Sequence, residues 1–293
     1  MENADLYKDR SLAGRIRRSR ARSRVRRGRR ALQEGSVDDA IEWARKAARI
    51  DPGISAAYQL MADSLMPGED YLQILARLHA DLKPQTYLEI GVASGRSAAL
   101  ASAGTRVVGI DPHPMIETGI DAHARLYPTT SDRFFDRWNI LDELDTNALD
   151  LVFLDGLHTF EQALMDFIHV EPFGDHRTIV AVHDCLPVAR RIASSKRLTK
   201  QWCGDVWKIV PCLQATRPDL TLLVVPTPPS GLLLISDLDS ASKTLRLSYD
   251  SIVETYRDRE LDYELLGKND VEQAELVVPN DWNEIQRRLG IQG

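Results

Sequence analysis

The chain has 293 residues and a formal net charge of −6, with 43% hydrophobic and 27% charged residues, as in most soluble globular proteins. No apolar run approaches the ~18–20 residues that a transmembrane helix needs, and the first thirty residues lack the apolar core of a secretory signal. Three cysteines without C-x-x-C spacing exclude a disulfide scaffold. We therefore expect a protein of the reducing cytoplasm, long enough for one α/β domain and a smaller attachment.

Basic residues are concentrated near the N-terminus. Residues 8–30 carry eleven arginines and Lys8 against one acid, a net charge of +11, and residues from Ala31 onward sum to −15 once the two acids of residues 1–7 are counted. Clustered arginines bind polyphosphates and acidic membranes, but no aromatic residue lies among them to stack on single-stranded bases. We expect a solvated helix face or a frayed N-terminus leaning on the acidic body, and nucleic acid is not the favoured partner.

Residues 31–68 predict a helical hairpin, because alanine and isoleucine recur at helical spacing until an Asp-Pro pair ends the first helix. The segment resembles the second helix of a tetratricopeptide repeat and the start of another, with matches at Gly35, Ala40, Ala47 and Pro52. Tetratricopeptide repeats need about three copies to bury a continuous core, and at most one and a half are present here. We expect a hairpin that packs on the next domain; an independent partner-binding module is the alternative.

From Asp70 onward, predicted strands alternate with predicted helices, which is typical of an open, mostly parallel α/β sheet. The predicted strands are Thr86–Ile90, Arg106–Ile110, a third around Arg133–Trp138, Leu149–Leu154 and Thr178–Val182. Helices are predicted at Tyr71–Leu82, Ser94–Ala103, Thr159–Val170, around Asp250–Tyr263 and at Trp282–Leu289. Two late apolar runs predict an antiparallel pair at a sheet edge, Thr221–Val225 and Gly231–Ile235.

These elements predict a doubly wound, mostly parallel α/β fold with a helical N-terminal attachment and a helical C-terminal tail. The predicted divisions are an arginine-rich arm at 1–30, the hairpin at 31–68, the α/β domain at 69–237 and a C-terminal helical extension at 238–293. Ligands of such sheets bind at the carboxyl ends of the strands, where the candidate site residues lie. The tail is open to interpretation as a cap over the site, a dimer surface or plain cover for the sheet.

The first group of candidate residues lies where the first predicted strand runs into a glycine loop. It comprises Glu89, Gly91, Ala93, Ser94 and Gly95. Glycines let a ligand approach the backbone, and a helix N-terminus offers free N–H groups. A dinucleotide site would need G-x-G-x-x-G, and Glu89 suits a cationic amino-acid ligand better than a pyrophosphate. Asp111 ends the next strand, where a carboxylate accepts both ribose hydroxyls. Alone, these residues are typical of a turn glycine or a capping aspartate; together they point to S-adenosylmethionine more than to NAD.

The second group is Asp155-Gly-Leu-His158 with His183-Asp184 on the next strand end. Adjacent strands lie ~4.8 Å apart, so Asp155 and Asp184 are predicted to converge on one cation, which removes their mutual repulsion. A bound metal polarises a hydroxyl, and the imidazole of His158 suits a general base at neutral pH. A capping or packing role for His158, and a purely structural role for His183, are the alternatives.

The motifs EIGVASGRS, GIDPHP, DLVFLDGLHTFEQALMDF and VAVHDCLP, in this order and spacing, resemble the class I S-adenosylmethionine-dependent methyltransferases. Within that class they are most similar to the group that contains macrolide-sugar O-methyltransferases. The resemblance covers roughly Asp81 to Ile235, and GDVWK at Gly204–Lys208 is also similar. It implies a Rossmann-like core that transfers a methyl group to a hydroxyl, with a small molecule or glycan of sugar type as the acceptor.

The resemblance also implies roles for the candidate residues. Glu89, Gly91 and Asp111 would bind S-adenosylmethionine, together with Ala93, Ser94, Gly95 and Asp155 at the same strand ends. A divalent metal would be held by Asp155, His183 and Asp184, with His158 as the base. The related sugar methyltransferases carry an acid where this sequence has His183, and an imidazole suits Mn²⁺, Fe²⁺ or Zn²⁺ better than Mg²⁺. Metal dependence and the choice between Mg²⁺ and Mn²⁺ therefore stay open.

Other interpretations remain at this stage. Trp202 and Trp207 are predicted either to line an acceptor pocket or to anchor a lid and pack on the sheet. A phenolic acceptor is a further alternative, because a bound metal would polarise a phenolic hydroxyl in the same way as a sugar hydroxyl. The rival from another class is a binding protein on a methyltransferase-like scaffold, in which the arm and the hairpin make the functional contacts. The sequence leaves a homo-oligomer open.

Overall fold

A computed structural model describes residues 11–261 and 275–291 of the chain. Its centre is a seven-stranded sheet in the order β3-β2-β1-β4-β5-β7-β6. The strands are β1 Thr86–Ile90, β2 Arg106–Ile110, β3 His123–Tyr127, β4 Leu151–Leu154, β5 Ile179–His183, β6 Thr221–Val225 and β7 Leu232–Ser236. Strands β1 to β5 pair in parallel, and β7 pairs antiparallel with both β5 and β6. The predicted mostly parallel sheet and its antiparallel edge pair are confirmed.

Helices cover both faces of this sheet, as the buried runs of β1, β4, β5 and β7 require. In chain order they are α1 Leu12–Gln33, α2 Val37–Ile50, α3 Ser55–Leu65, α4 Tyr71–Leu82, α5 Ser131–Arg137, α6 Ile140–Leu144, α7 Phe160–Val170, α8 Ile209–Thr216, α9 Thr244–Arg257 and α10 Trp282–Leu289. Apolar residues of α4 and α10 pack on one face, and those of α5 to α9 pack on the other. The doubly wound architecture is therefore as predicted.

The N-terminal helices α1 to α3 pack on one another. Ser11 caps α1, its side chain accepting a hydrogen bond from the Gly14 N–H at 3.0 Å. Gly28 lies where the three helices approach most closely, since a Cβ there would lie 2.5 Å from a methyl of Leu60 and 3.0 Å from the Cβ of Trp43. Helix α1 continues through residue 30, the predicted end of the arm. The predicted domain limits and the tetratricopeptide likeness stay predictions.

The predicted third strand around Arg133–Trp138 is wrong, because that stretch contains α5. Thr130 caps this helix, and Phe134 packs against the ring of Trp138, four residues on, and against that of Tyr127 at the end of β3. The third strand is β3, further upstream. Its first three residues are exposed, so it lacks the apolar run by which a buried strand is recognised.

The predicted helix at Ser94–Ala103 is also wrong, since only a short 3₁₀ turn forms there, at Ala98–Leu100. The reason lies in the backbone of the preceding loop. The carbonyl of Ala93 accepts the Met115 N–H at 2.8 Å, and that of Ser94 accepts the Glu117 N–H at 3.0 Å. Carbonyls used in this way are no longer available to start a regular helix.

At the C-terminal end, α10 has the predicted bounds, whereas α9 begins at Thr244, earlier than the predicted Asp250. The last two residues of that predicted helix, 262 and 263, lie outside the described residues. Within the part of the chain that the structure describes, no helix combines the length and the apolar character that a membrane crossing requires.

Candidate functional site

The carboxyl ends of β1, β2 and β4 meet through a glycine loop. The Gly91 N–H donates to the Ile110 carbonyl and the Asp155 N–H to the Ile90 carbonyl, both at 2.8 Å. Gly91 has φ +96°, and a Cβ on it would lie 2.0 Å from the Asp155 carbonyl oxygen. Only glycine fits so close to another backbone. The loop that follows β1 is therefore fixed directly to the loop that follows β4.

Glu89 lies on β1 beneath this loop and is fully buried. The Tyr87 hydroxyl donates to one of its oxygens at 2.8 Å and the Ser97 hydroxyl to the other at 2.6 Å. Burial raises the pKa of Glu89 to about 8, although these two hydrogen bonds favour the charged form. The carboxyl is thus poised to ionise when a cation is placed against it.

This pKa predicts a pH dependence of stability. Between the ordinary pKa of a glutamate and about 8, the unfolded chain is ionised at Glu89 while the folded chain keeps the proton. The free energy of unfolding should therefore fall as pH rises through this window, by about 1.4 kcal/mol per pH unit at most. Urea denaturation at pH 5, 6.5 and 8 should show a steeper fall for the wild type than for Glu89→Gln. Parallel profiles of the two proteins would contradict the assignment.

Asp111 follows β2 at the same edge of the sheet. Its two carboxylate oxygens accept the N–H groups of Ala93 at 2.8 Å and of His113 at 2.7 Å. The side chain is half-buried, so lone pairs remain for a ligand. The structure thus brings together all the residues predicted for the cofactor, namely Glu89, Gly91, Ala93, Ser94, Gly95, Asp111 and Asp155, around the ends of β1, β2 and β4.

Next to this loop, Asp155, His158 and Asp184 form a compact cluster. One ligand atom from each lies within 4.8 Å of the other two. The His158 Nδ1 lies 2.7 Å from Asp184 Oδ2, and its Nε2 lies 3.6 Å from Asp155 Oδ1. Asp184 Oδ2 is buried against this imidazole. The arrangement is a donor set of two carboxylates and one imidazole.

His183, which was predicted to share the metal, has partners on both ring nitrogens. Its Nδ1 lies 3.1 Å from Asp155 Oδ1, and its Nε2 lies 3.4 Å from the hydroxyl of Ser230. The ring also stacks on Tyr71, with centroids 4.1 Å apart. His158 rather than His183 therefore completes the compact triad, and a ligand role for His183 stays a prediction.

Trp202, one of the two tryptophans that flank Gly204, contacts His158 in the loop between β4 and α7, which we call the histidine loop. Trp202 stacks on the His158 ring with centroids 5.5 Å apart, and its carbonyl accepts from Nδ1 at 2.9 Å. A Cβ on Gly204 would lie 1.5 Å from the His158 carbonyl oxygen. Trp207 is buried and donates to the Ala193 carbonyl at 3.2 Å.

Asp205 ties the same segment to two helices. One carboxylate oxygen accepts the Phe160 N–H at the start of α7, and the other accepts from the buried ammonium of Lys208, each at 2.9 Å. Lys208 also donates to the Arg257 carbonyl at the end of α9, at 2.8 Å. The GDVWK motif thus acts as a brace that links the start of α7, just after His158, to the end of α9.

A family model described as a methyltransferase domain matches residues 88–185. The match begins on β1 and ends just beyond Asp184, so it contains both groups of candidate residues. These residues are therefore similar to a methyltransferase domain, which agrees with the resemblance seen in the motifs. The observed strand order confirms the predicted Rossmann-like core.

Three solved structures are similar to this chain in fold. Cofactor-bound Rv0187 from MTB is 17% identical, with 64% of this chain and 90% of that chain covered at a TM-score of 0.45. The O-methyltransferase TomG from Streptomyces achromogenes, in complex with SAM, is 16% identical, with 57% and 79% covered at 0.44. An O-methyltransferase from Bacillus cereus, in complex with SAH, is 14% identical, with 64% and 91% covered at 0.45. No curated protein matches the sequence.

The carboxylates and imidazoles of the cluster shift one another's pKa values. Burial alone would lower the pKa of His158, but the carboxylates of Asp184 and Asp155 outweigh it and raise the pKa to about 10. Burial likewise opposes the charge on Asp184, yet the imidazoles of His183 and His158 hold its pKa below the ordinary value. In the free protein the carboxylates of the cluster are therefore compensated by the imidazolium of His158.

Several residues of the methyltransferase site carry no sequence signal of their own. The Ser230 hydroxyl donates to Asp184 Oδ1 from the proline-rich loop between β6 and β7. Tyr71 reaches His183 from the start of α4, and burial raises the pKa of its hydroxyl. The thiol of Cys203 is buried, and its pKa is raised by burial and by the nearby Asp184. Ser230 and Tyr71 come from segments far from the motifs, and Cys203 directly precedes the GDVWK motif, so only the fold brings them to the site.

Proposed function

We propose that this domain transfers the methyl group of S-adenosylmethionine to a hydroxyl oxygen of a small molecule or glycan, at the cluster of Asp155, His158 and Asp184. The observation that carries the proposal is the position of the His158 imidazole. It lies at the carboxyl edge of the sheet, beside the glycine loop, and it is fixed by Trp202 and two carboxylates. Catalytic groups of open α/β sheets lie at this edge.

The cofactor side of the proposal rests on charge and shape. The Glu89 carboxyl would lie beside the ammonium group of the amino-acid part of S-adenosylmethionine. That positive charge would favour the ionised form of Glu89. The Asp111 carboxylate would accept the ribose hydroxyls, while its bonds to Ala93 and His113 keep it in place. The glycine loop permits the close approach that a bound cofactor needs.

The reaction is an in-line displacement. The carbon–sulfur bond of the sulfonium breaks, a carbon–oxygen bond forms, and S-adenosylhomocysteine and the methylated acceptor leave. The carbonyl of Trp202 can only accept, so Nδ1 of His158 carries hydrogen and Nε2 takes the proton of the acceptor hydroxyl. Asp155 Oδ1, 3.6 Å from Nε2, stabilises the imidazolium that forms. Because free His158 holds a proton at neutral pH, it acts as base only when positive charge, such as that of the sulfonium, offsets the carboxylates.

The same cluster fits a divalent cation, since its donor atoms are close together and Asp184 is buried among them. Asp155, His158 and Asp184 are the residues that would hold it, with His183 as the further ligand predicted from the sequence. A ligand role for Nε2 of His158 would replace its role as base. When bound, the cation would polarise the acceptor oxygen and offset the carboxylate charge. An imidazole in the donor set favours Mn²⁺, Fe²⁺ or Zn²⁺ over Mg²⁺.

For the acceptor we propose a sugar hydroxyl, following the resemblance of the motifs to sugar methyltransferases. A phenolic acceptor is the second candidate, because Leu157, next to His158, is 60% exposed, and Met115, whose N–H bonds the glycine loop, is 71% exposed. Apolar side chains at this position suit a flat ring. We place the enzyme in the cytoplasm, which the three buried, unpaired cysteines support.

The test is a transfer assay with S-adenosylmethionine labelled in its methyl group, against a panel of glycosides and catechols, each with Mn²⁺, Mg²⁺ or a chelator. Label should enter an acceptor of one class, and Asp184→Asn should remove the transfer. Asp145→Asn is the matched control and should retain it, since the Asp145 side chain is 97% exposed and lies near Arg106 at the start of β2, the opposite edge of the sheet. Transfer to nitrogen or carbon acceptors alone would contradict the proposal.

A further inference from the structure

Helix α1 carries a straight row of arginines that the methyltransferase reaction does not use. Ten of its residues are arginine and none is acidic. At 100° per residue, Arg15, Arg18, Arg22, Arg26 and Arg29 fall within one narrow stripe, spaced three or four residues apart. The stripe is about 21 Å long at 1.5 Å per residue. We call these five residues the arginine stripe.

The arginine stripe is open to solvent and unpaired. Arg15, Arg22, Arg26 and Arg29 are exposed, and Arg18 is half-buried. Within residues 11–261 and 275–291, none of the five side chains makes an ion pair, a hydrogen bond or a ring contact. By contrast, Arg30 pairs with Glu34 at 2.8 Å, and Arg27 lies over the ring of Trp43 on the flank that faces α2. The expectation that the arm leans on the acidic body does not apply to the stripe.

Such a row is unfavourable for the helix itself. Like charges three or four residues apart destabilise a helix by about 0.2–0.5 kcal/mol per pair. The helix is nevertheless held straight, because its small residues Ala21, Val25 and Gly28 are buried against α2 and α3. A rigid rod of unpaired guanidinium groups is a surface ready for a repeating anion.

We propose that the arginine stripe binds the phosphate backbone of a nucleic-acid duplex without sequence preference. Guanidinium groups pair with phosphate oxygens through two parallel hydrogen bonds, and the stripe is long enough to contact several successive phosphates. No aromatic residue lies on α1, so bases of a single strand have nothing to stack on. The strongly acidic remainder of the chain repels the polyanion and confines contact to the stripe.

A membrane surface fits less well. The apolar side of α1 is buried against its neighbouring helices, and only Leu12 and Ile16 of this helix are exposed large hydrophobic residues. An interfacial helix needs a continuous apolar face to insert among the lipid tails. The stripe offers charge alone, which suits a dense, regular row of phosphates such as that of a duplex.

The experiment is fluorescence anisotropy of the full chain with a labelled mixed-sequence duplex, as DNA and as RNA, over about 50–200 mM salt. The wild type should bind with a slope of log K against log salt of about −4, since each phosphate contact contributes about −0.9. The variant Arg15→Gln, Arg22→Gln, Arg26→Gln should reduce the slope by about 2 to 3 and the affinity at least tenfold. Glutamine keeps the helix propensity of arginine, and circular dichroism checks that α1 is intact.

Two further variants decide the interpretation. Arg133→Gln, Arg191→Gln, Arg288→Gln removes the same charge from exposed positions of the body and should change affinity by less than about twofold. Lysine at the three stripe positions should retain most of the salt slope. Equal losses in the body and stripe variants would overturn the proposal in favour of a net-charge effect. So would no duplex binding at low salt, or binding only to phosphatidylserine vesicles.

Discussion

Replacing His158 with alanine is expected to lower methyl transfer by about 10²–10⁴-fold, the usual contribution of a positioned general base. Within the described residues, Nε2 of His158 has no hydrogen-bond partner, while Nδ1 is fixed by the Trp202 carbonyl. Affinity for S-adenosylmethionine should change by less than about threefold, because Glu89 and Asp111, which are assigned to the ammonium and the ribose of the cofactor, lie at the ends of β1 and β2. Turnover with an acceptor from the panel and calorimetry of the cofactor measure the two effects separately.

The control for this variant is His176→Ala, which removes an exposed imidazole far from the cluster. It should leave both turnover and cofactor affinity unchanged. Trp202→Leu keeps His158 but removes the ring stacked on it, and we expect an intermediate loss of turnover with a shifted pH profile. Full activity of His158→Ala would remove the imidazole from the role of base and leave the carboxylates, with or without a metal, to carry the reaction.

The second large effect is expected for Gly204→Ala. A Cβ at this position would lie 1.5 Å from the His158 carbonyl oxygen and 2.8 Å from its Cβ, and the φ of +62° is unfavourable for any L-residue. The histidine loop must then shift as a whole, so we expect the free energy of unfolding to fall by about 3 kcal/mol or more and turnover to drop to background.

The variant Gly35→Ala separates the two causes of this loss, which are the steric clash of the new Cβ and the strain of a left-handed backbone. Gly35 has a similar φ of +82°, but a Cβ there meets nothing within 4 Å. It should therefore cost only the strain of a left-handed alanine, about 1–2 kcal/mol, with full activity. Urea denaturation of both variants gives the difference that belongs to the clash. Equal destabilisation of the two would contradict the close packing of Gly204 on the histidine loop.

Much of the α/β core was predictable because its signals are local. Buried strands such as Thr86–Ile90 are continuous apolar runs, and the glycine loop and DGLH segment follow them directly. The edge strand His123–Tyr127 was missed because its exposed residues are polar, and the helix after Gly95 was wrongly predicted because a distant segment takes the loop carbonyls. Long-range hydrogen bonds of this kind leave no periodic pattern in the sequence.

The candidate site divides in the same way. Asp155, His158 and Asp184 follow strand ends and were predicted together, since parallel strands bring their carboxyl ends to one edge. Which of the two histidines completes the compact triad with Asp155 and Asp184 was not predictable, because it depends on Trp202 and Ser230, which lie in loops after β5 and β6. The brace formed by Asp205 and Lys208 was visible only as a family-like motif whose function required the three-dimensional contacts.

The most direct test of the account is a calorimetric titration of S-adenosylmethionine and S-adenosylhomocysteine into the purified protein, with and without Mn²⁺ and Mg²⁺. The same titration is repeated on Asp111→Ala and on Asp132→Ala as its control. We predict binding in the micromolar range that Asp111→Ala weakens at least tenfold and Asp132→Ala leaves unchanged. No detectable binding of either compound under any metal condition would contradict the assignment of this sheet edge as a methyl-donor site.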